Sequence, residues 1–270
     1  MSAFVHNDSK TMTLSETEIR LKNGARIIQE TPCIFDHFTY GAGAFNSHVP
    51  QYWVTTETGS ATAFAPSATG VGGHAVGVTG ATTNNAQEFA GKMLSWQPST
   101  QALKGPLVLE VRLSHRSTTA ANGDLGVGFN DATTEASGLS YVLSAASAVT
   151  THAPSDFAGF WYTSIATSGA LFVTGGNPYG VITTIADVDT VTAPDTTNRV
   201  IKHATNFVKL RVELDSSGNA KFFANEKWQA SVASAVTAAS LFTPYIDLIG
   251  KASEAHTGTL DYIFVGGDLL

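Results

Sequence analysis

Residues 207–228 read Phe-Val-Lys-Leu-Arg-Val-Glu-Leu-Asp-Ser-Ser-Gly-Asn-Ala-Lys-Phe-Phe-Ala-Asn-Glu-Lys-Trp, and this stretch decides the fold. Apolar and charged residues alternate from Val208 to Leu214, and turn-forming residues follow at 215–219. The chain then runs back through residues 221–224 and turns again at 225–227. Strict alternation bounded by turn residues is typical of half-buried antiparallel strands, so the stretch predicts consecutive β-hairpins.

A second alternating segment, residues 107–114, is predicted to be a central strand. Leucine and valine occupy its odd positions, so we expect Leu109 and its alternate neighbours to face the core, together with Leu210 and Val212. Further short strands are predicted at residues 51–56, 75–80, 89–96, 125–129, 139–143, 157–162, 171–173, 180–185, 241–250 and 259–266. Short strands separated by turns, with almost no helical periodicity and no long repeat, predict an all-β antiparallel β-sandwich or jelly roll.

The N-terminal segment, residues 1–30, differs from the rest because it holds much of the chain's charge. Alternation around residues 18–22 and the strong hairpin-turn pair Asn23-Gly24 favour an extended arm with a short hairpin. The sequence therefore divides into an N-terminal arm, residues 1–30, and a single β-sandwich domain, residues 31–270. The apolar residues expected to attach the arm to a neighbouring subunit are Phe4, Ile19, Leu21 and Ile27.

Composition excludes several classes of function. The chain has 270 residues, a formal net charge of −7 and only 14% charged residues, whereas about 25% is typical of soluble domains. The acidic balance and the scattered lysines and arginines argue against nucleic-acid binding. No apolar run is long enough for a transmembrane helix, and residues 1–8 lack the pattern of a signal peptide. We therefore expect no membrane partner and synthesis in the cytoplasm without a signal peptide.

Several segments occur in a recognisable order. They include Phe-Asp-His-Phe at 35–38, Leu-Glu-Val-Arg-Leu at 109–113, Gly-Val-Gly-Phe at 126–129 and Leu-Asp-Tyr-Ile-Phe-Val at 260–265. Over residues 31–270 this order resembles the concanavalin A-like (laminin-G-like) lectin and glucanase sandwich. More narrowly, it is similar to the versions that tailed bacteriophages carry as virion proteins. The resemblance implies a concanavalin A-like jelly roll, a fold that hosts lectins, hydrolases and inert structural modules.

Glycan hydrolysis by this fold requires carboxylates that flank one bond. The nearest candidate is Glu110, but the strand that contains it lacks the second and third acids of the Glu-x-Asp-x-x-Glu pattern that the family's glucanases carry. Glu213 and Asp215 are two residues apart, yet Asp215 begins a turn, where aspartate is expected for hydrogen bonding alone. The sequence therefore predicts no catalytic residue and a protein that is not an enzyme.

No metal or cofactor site is predicted either. The only cysteine is Cys33, which excludes an intrachain disulfide and a cysteine-based zinc site. Asn122 and Asp124 precede one predicted strand, while Asn130 and Asp131 follow it. A strand of five residues separates the two pairs by roughly 17 Å, which is too far for one ion.

Aromatic side chains are the remaining candidates for a binding site. Trp161, Tyr162 and Trp228 are the residues that we expect to stack on sugars, although an aromatic residue on a sandwich strand more often belongs to the core. Phe160 and Tyr162 are expected on one face of their strand and Trp161 on the other. Trp228 follows a tight turn and is expected to be the most exposed.

The resemblance to virion proteins, together with the charged arm, implies a non-enzymatic bacteriophage virion structural protein, most simply a capsid decoration or cement protein anchored through its N-terminal arm. The alternative is a glycan-binding, lectin-like module associated with a tail or fibre that contacts the host surface. The expected partners are other virion proteins, either the major capsid or a tail protein, with a host glycan under the alternative. A homo-oligomer located on the virion is expected in both cases.

Overall fold

The computed structural model describes residues 33–36, 38, 53–57, 59, 61–67, 73–81, 86–91, 96–99, 103–117, 123–132, 143–145, 149–151, 154, 156–163, 168–174, 204–250 and 255–269. These residues form strands and turns without a helix. The strands are β1 (Cys33–Asp36), β2 (Val54–Glu57), β3 (Thr62–Pro66), β4 (Ala75–Val78), β5 (Ala86–Ala90), β6 (Leu103–Ser117), β7 (Gly123–Asn130), β8 (Leu143–Ala145), β9 (Val149–Thr151), β10 (Phe157–Thr163), β11 (Ser168–Thr174), β12 (Ala204–Leu214), β13 (Ala220–Ala224), β14 (Lys227–Val232), β15 (Thr243–Gly250) and β16 (His256–Leu269).

The strands form two large antiparallel sheets that pack as a sandwich. The eight-stranded sheet has the order β14-β13-β12-β6-β16-β4-β3, and β1 pairs with β16 beside this path. The six-stranded sheet has the order β11-β10-β7-β15-β5-β2, and β8 and β9 form a separate two-stranded ribbon. The predicted all-β antiparallel sandwich is confirmed. The predicted arm, residues 1–30, lies outside the described residues.

The eight-stranded sheet follows the alternation that the sequence predicts. Within residues 107–113 of β6 and 210–214 of β12, every second residue is at most 1% exposed, namely Leu107, Leu109, Val111, Leu113, Leu210, Val212 and Leu214. Register places Leu109 opposite Val212 and Glu110 opposite Arg211, so that apolar pairs face the core and charged pairs face outward. The predicted register of both strands is confirmed.

The six-stranded sheet differs because its central strands are buried on both faces. Every residue from 124 to 130 on β7 and every residue of β15 is buried. Leu125 and Ile246 are among the residues that face the core. The opposite face carries glycines and polar residues, including Asp124 and Asp247.

The turn between β12 and β13 explains why Asp215 occurs there. Its Oδ1 accepts hydrogen bonds from the backbone N–H groups of Ser217 and Asn219, each at 2.9 Å, and its Oδ2 accepts one from Asn219 Nδ2 at 2.8 Å. Burial alone would raise the pKa of Asp215, but these hydrogen bonds outweigh it and hold the pKa below its usual value. Asp215 is therefore a turn residue, as the sequence suggests.

Candidate functional site

Trp228 is the most prominent aromatic residue on the described surface, with 62% of its area exposed. It lies opposite Phe223, next to a β-bulge where the pairing of β13 with β14 shifts between Phe222 and Phe223. The indole Nε1 donates a hydrogen bond to Ser231 Oγ at 3.1 Å, which fixes the direction of the ring. Single exposed apolar residues are common on protein surfaces, whereas the hydrogen bond to Ser231 gives this indole a defined orientation.

The turn that presents Trp228 is strained and firmly held. Asn225 and Glu226 both have left-handed backbone conformations, with φ of 47° and 69°, as a two-residue hairpin of this type requires. Asn225 N–H donates to the carbonyl of Lys209 at 2.8 Å, and Asn225 Oδ1 accepts from Lys209 N–H at 3.1 Å. Lys209 Nζ also donates to Glu226 Oε1 at 2.8 Å. These three contacts to β12 offset the strain, so the hairpin tip is a rigid support for Trp228.

Charged groups extend this surface across the sheet. The Cζ of Arg211 lies 4.1 Å from the centre of the Phe223 ring, which is a cation–π contact. The Nε of Arg211 is 3.1 Å from Glu213 Oε1. We use the name Trp228 platform for Lys209, Arg211, Phe223, Glu226 and Trp228. The platform offers one exposed indole face beside guanidinium, ammonium and carboxylate groups that can bind hydroxyl groups.

A second arginine repeats this arrangement on β6. Arg112 Cζ lies 4.7 Å from the centre of the Phe207 ring, and its Nη1 contacts Asp261 Oδ2. His74 Nε2 lies 3.4 Å from the other oxygen of Asp261. The carboxylate of Asp261 is less exposed than the guanidinium it holds, at 16% against 42% of the side chain. The guanidinium is therefore the more accessible partner of this pair.

Glu110, the acid that the sequence singles out, lies between these two arginines on the outer face. It accepts a hydrogen bond from the Tyr262 hydroxyl at 2.7 Å. Burial raises the pKa of Tyr262 well above its usual range, and the hydrogen bond to Glu110 and its charge add to this effect. Tyr262 is therefore a stable donor at physiological pH, and Glu110 belongs to a surface hydrogen-bond network.

The other aromatic candidates are placed only in part. Trp161 and Tyr162 lie on β10, where Trp161 pairs with Gly126 on one side and Ala170 on the other. Their side chains are not among those described, so their role in stacking stays a prediction. The predicted exposure of Trp228 is confirmed. The arm residues lie outside the described part of the chain, and these are Phe4, Ile19, Leu21 and Ile27.

The polar outer face of the six-stranded sheet has no counterpart among the predictions from sequence. Asp247 lies opposite Gly126, and Asp124 is two residues further along β7 on the same face. Such diagonal neighbours are about 7–8 Å apart between their Cα atoms. Both side chains are at most 2% exposed, and Tyr245 on the same face is fully buried. Only the strand register reveals this proximity, since Asp124 and Asp247 are far apart in sequence.

Among the described residues, no group of three or more histidine, cysteine, aspartate or glutamate side chains is arranged to hold a metal ion. The described part of the chain also contains no helix that is long and apolar enough to cross a membrane.

Comparison with solved structures defines the class of fold. No protein-family model and no curated protein matches the sequence. The structure is similar to peanut lectin, with a TM-score of 0.52 and 11% identity over 89% of this chain and 99% of the lectin. It is also similar to the metal-free carbohydrate recognition domain of Emp46p, with a TM-score of 0.49 and 10% identity over 84% of this chain and 95% of that domain. The Bacillus licheniformis β-glucanase gives 0.46 and 10%, over 84% and 98%. The likeness to peanut lectin shows that the fold is a concanavalin A-like sandwich.

The prediction from sequence that the protein is not an enzyme is contradicted by the comparison with solved structures. Solved structures similar to this chain include β-glucanases as well as lectins, so this fold is shared by hydrolases and binding proteins. The physical reason lies in how carboxylates meet in a sheet. The prediction considered only acids that are close together in the sequence. The strand register also brings acids from separate strands near each other, as with Asp124 on β7 and Asp247 on β15.

Proposed function

We propose that this protein binds carbohydrate through the Trp228 platform. The observation that carries the proposal is the exposed indole of Trp228, at 62% exposure, on a hairpin tip that three contacts hold to Lys209. A rigid aromatic face loses little conformational entropy when a ligand binds. The fold class is compatible with this role, and the surface chemistry supports it.

The platform offers both kinds of contact that a sugar ring requires. The apolar C–H face of a pyranose packs against an indole, which combines a large apolar area with a polar edge. The ring hydroxyl groups would then accept hydrogen bonds from Arg211 and Lys209 and donate to Glu226. Arg211 is held in place by Phe223 and Glu213, so its remaining N–H groups keep a fixed direction.

The test is a glycan-array screen of the full chain, followed by calorimetric titration of the glycans that bind. We expect Trp228→Ala to weaken binding at least about tenfold, which corresponds to about 1.4 kcal/mol. Leu241→Ala is the matched control, because Leu241 is also a large apolar residue, with 47% of its area exposed. Leu241→Ala should leave the affinity unchanged.

Two results would contradict the proposal. One is the absence of binding to any glycan on the array. The other is a glycan that Trp228→Ala and the unmodified chain bind with equal affinity, which would place the binding surface elsewhere. Every glycan that binds should also be incubated with the protein and checked for newly released reducing ends, because this fold is shared with hydrolases.

The more specific prediction of a bacteriophage virion structural protein remains a prediction. Capsid decoration through the arm, partnership with other virion proteins, homo-oligomerisation and location on the virion belong with it. Deletion of residues 1–30 is the direct test. We expect the remaining residues 31–270 to stay folded but no longer to join a particle. A deletion that unfolds the sandwich would show that the arm is an integral strand.

A further inference from the structure

Two histidines contact each other inside the sandwich, at one end of the eight-stranded sheet. His115 on β6 lies opposite Gly258 on β16, and His256 is two residues from Gly258 on the same face of β16. The two imidazole rings meet edge to face, and Nδ1 of His115 lies 2.9 Å from Nε2 of His256. Both residues are at most 1% exposed. The rings are therefore hydrogen-bonded to each other within the core.

The opposite sheet presents apolar side chains toward this pair. A Cβ at Gly258 would lie 2.5 Å from Cδ1 of Leu248, so Leu248 packs against the sheet beside the histidines. Leu248 in turn lies opposite Leu125, and both belong to the core. The titratable residues of that sheet near this position are either on its outer face or two strands away, and these are Asp124, Asp247, Glu88, Tyr162 and Glu57.

The neighbours of the pair on its own sheet are also uncharged. Ala204 on β12 lies opposite His115, and Val78 on β4 lies opposite Thr257, the residue after His256. Arg116 follows His115 on β6 and therefore takes a position on the outer face. In the described part of the chain, a positive charge on the pair would thus be buried without water, which costs free energy.

His256 also connects three strands of the sheet. Its N–H donates a hydrogen bond to Oγ1 of Thr79 at 2.8 Å, and its carbonyl accepts one from the N–H of Thr79 at 2.9 Å. Thr79 directly follows β4 and is 2% exposed. The contact of the His256 ring with His115 adds β6 to these connections. The first residue of β16 therefore links the end of β4 to the end of β6.

The chemistry of the contact limits how many protons the folded pair can hold. A hydrogen bond between two imidazoles needs one donor and one acceptor nitrogen, so at least one ring must be neutral. The folded pair therefore takes up one added proton at most. In the unfolded chain each histidine takes up a proton as the pH falls below about 6.5. A second proton on the folded pair would place two N–H donors, and two buried positive charges, against each other.

We propose that the His115–His256 pair is an acid-sensitive latch for the last described strand, β16. At neutral pH the latch is closed and joins the ends of β4, β6 and β16. Uptake of the second proton opens it, and the start of β16 then separates from β6, while pairs further along such as Leu109–Val265 keep the rest of the strand in place. The latch lies in the core and does not involve the Trp228 platform, so the two proposals are tested independently.

The first test is urea unfolding of the full chain between about pH 5 and pH 8. Because the unfolded chain binds at least one proton more than the folded pair, the pair should lower the folding equilibrium constant about tenfold per pH unit below about pH 6.5. The double variant His115→Gln, His256→Gln should lose this part of the pH dependence, since glutamine amides form hydrogen bonds but do not titrate. Thr79→Val is the matched control. It removes a contact of His256 but no titrating group, so it should lower stability equally at every pH.

The second test locates the opening and needs no variant, so it remains decisive if the double variant does not fold. Hydrogen exchange is measured at about pH 7.5 and about pH 5.5 and corrected for the intrinsic effect of pH. We expect protection to fall at the backbone N–H groups of Thr79 and His256 at the lower pH, and to persist at Leu210 in the interior of the sheet, because local opening exposes only the end of β16.

Two results would overturn the latch. One is a double variant whose stability depends on pH as steeply as that of the unmodified chain. The other is a loss of protection on acidification that is equal at Thr79 and Leu210, since this pattern indicates unfolding of the whole sandwich rather than opening at the histidine pair.

Discussion

The two sheets of this sandwich are built on different plans. The eight-stranded sheet has an apolar face toward the core and a charged, aromatic face outward, as in the pairs Leu109–Val212 and Glu110–Arg211. In the six-stranded sheet, β7 and β15 are buried on both faces, and polar residues occupy the outer one. Half-buried strands carry an alternating sequence, whereas strands buried on both faces do not. The contrast separates a surface open to ligands from one enclosed by the protein.

The largest loss of stability should come from Tyr245, and Tyr262, the outward-facing tyrosine of the other sheet, is its comparison. Tyr245 on β15 is fully buried, so Tyr245→Ala should cost about 3–5 kcal/mol of unfolding free energy, as for other buried aromatic residues. Tyr262 on β16 is only partly buried, so Tyr262→Ala should cost about 1 kcal/mol, the worth of its hydrogen bond. Urea unfolding of both variants is the measurement. Equal costs would remove the contrast between the two outer faces.

Substitution of two glycines on the outer face of β7 should show how tightly that face is enclosed. A Cβ at Gly128 would lie 2.3 Å from the carbonyl oxygen of Ala158, which is backbone and cannot move aside. Gly128→Ala should therefore cost about 3 kcal/mol. A Cβ at Gly126 would first meet Tyr245 Cε2 at 3.2 Å, a side-chain atom that can shift. Gly126→Ala is the control and should cost less than about 1.5 kcal/mol in the same unfolding experiment.

Two aspartates should make the stability of the protein depend on pH in opposite directions, one at the end of each sheet. Asp156 is 2% exposed, and this burial raises its pKa above 3.8 in the folded state. Its contribution to stability is therefore complete below pH 3.8 and is lost as pH rises through the folded pKa. The pKa of Asp215 is lowered, so its contribution is complete above 3.8 and is lost as pH falls. Asp156→Asn should remove the first dependence and Asp215→Asn the second. Melts between pH 3 and 7 that show the same sign for both would contradict the burial of Asp156.

The smallest effect on stability should come from Trp228. Its exposure of 62% means that Trp228→Ala removes little buried surface, so the unfolding free energy should change by less than about 0.5 kcal/mol. A thermal melt of this variant checks the expectation. It also shows whether a loss of glycan binding reflects the missing indole rather than unfolding. A drop in Tm of more than a few degrees would show that Trp228 supports the edge of the eight-stranded sheet.

The eight-stranded sheet was more predictable than the six-stranded sheet, because apolar residues occupy every second position in residues 107–113 and 208–214. The faces of both segments were predicted correctly, and so was the exposure of Trp228 after its turn. The central strands β7 and β15 of the six-stranded sheet were predicted without their faces, since both bury glycines, polar and apolar residues alike.

The contacts that complete each site were beyond the sequence. The contacts of Lys209 with the hairpin tip and the proximity of Asp124 to Asp247 both depend on strand register. Register is set by the packing of the whole sandwich and not by the spacing of residues along the chain.

The position of β16 in the sheet has a consequence for the order of events as the chain is made. This strand (His256–Leu269) pairs with β1, β4 and β6, and so occupies the middle of the eight-stranded sheet. It is nevertheless the last described strand to leave the ribosome. Until β16 has been synthesised, β4 and β6 lack the strand that lies between them, and their hydrogen-bonding edges can pair with other chains. Such long-range closure slows folding, so the protein should depend on chaperones during synthesis more than its final compact sandwich would suggest.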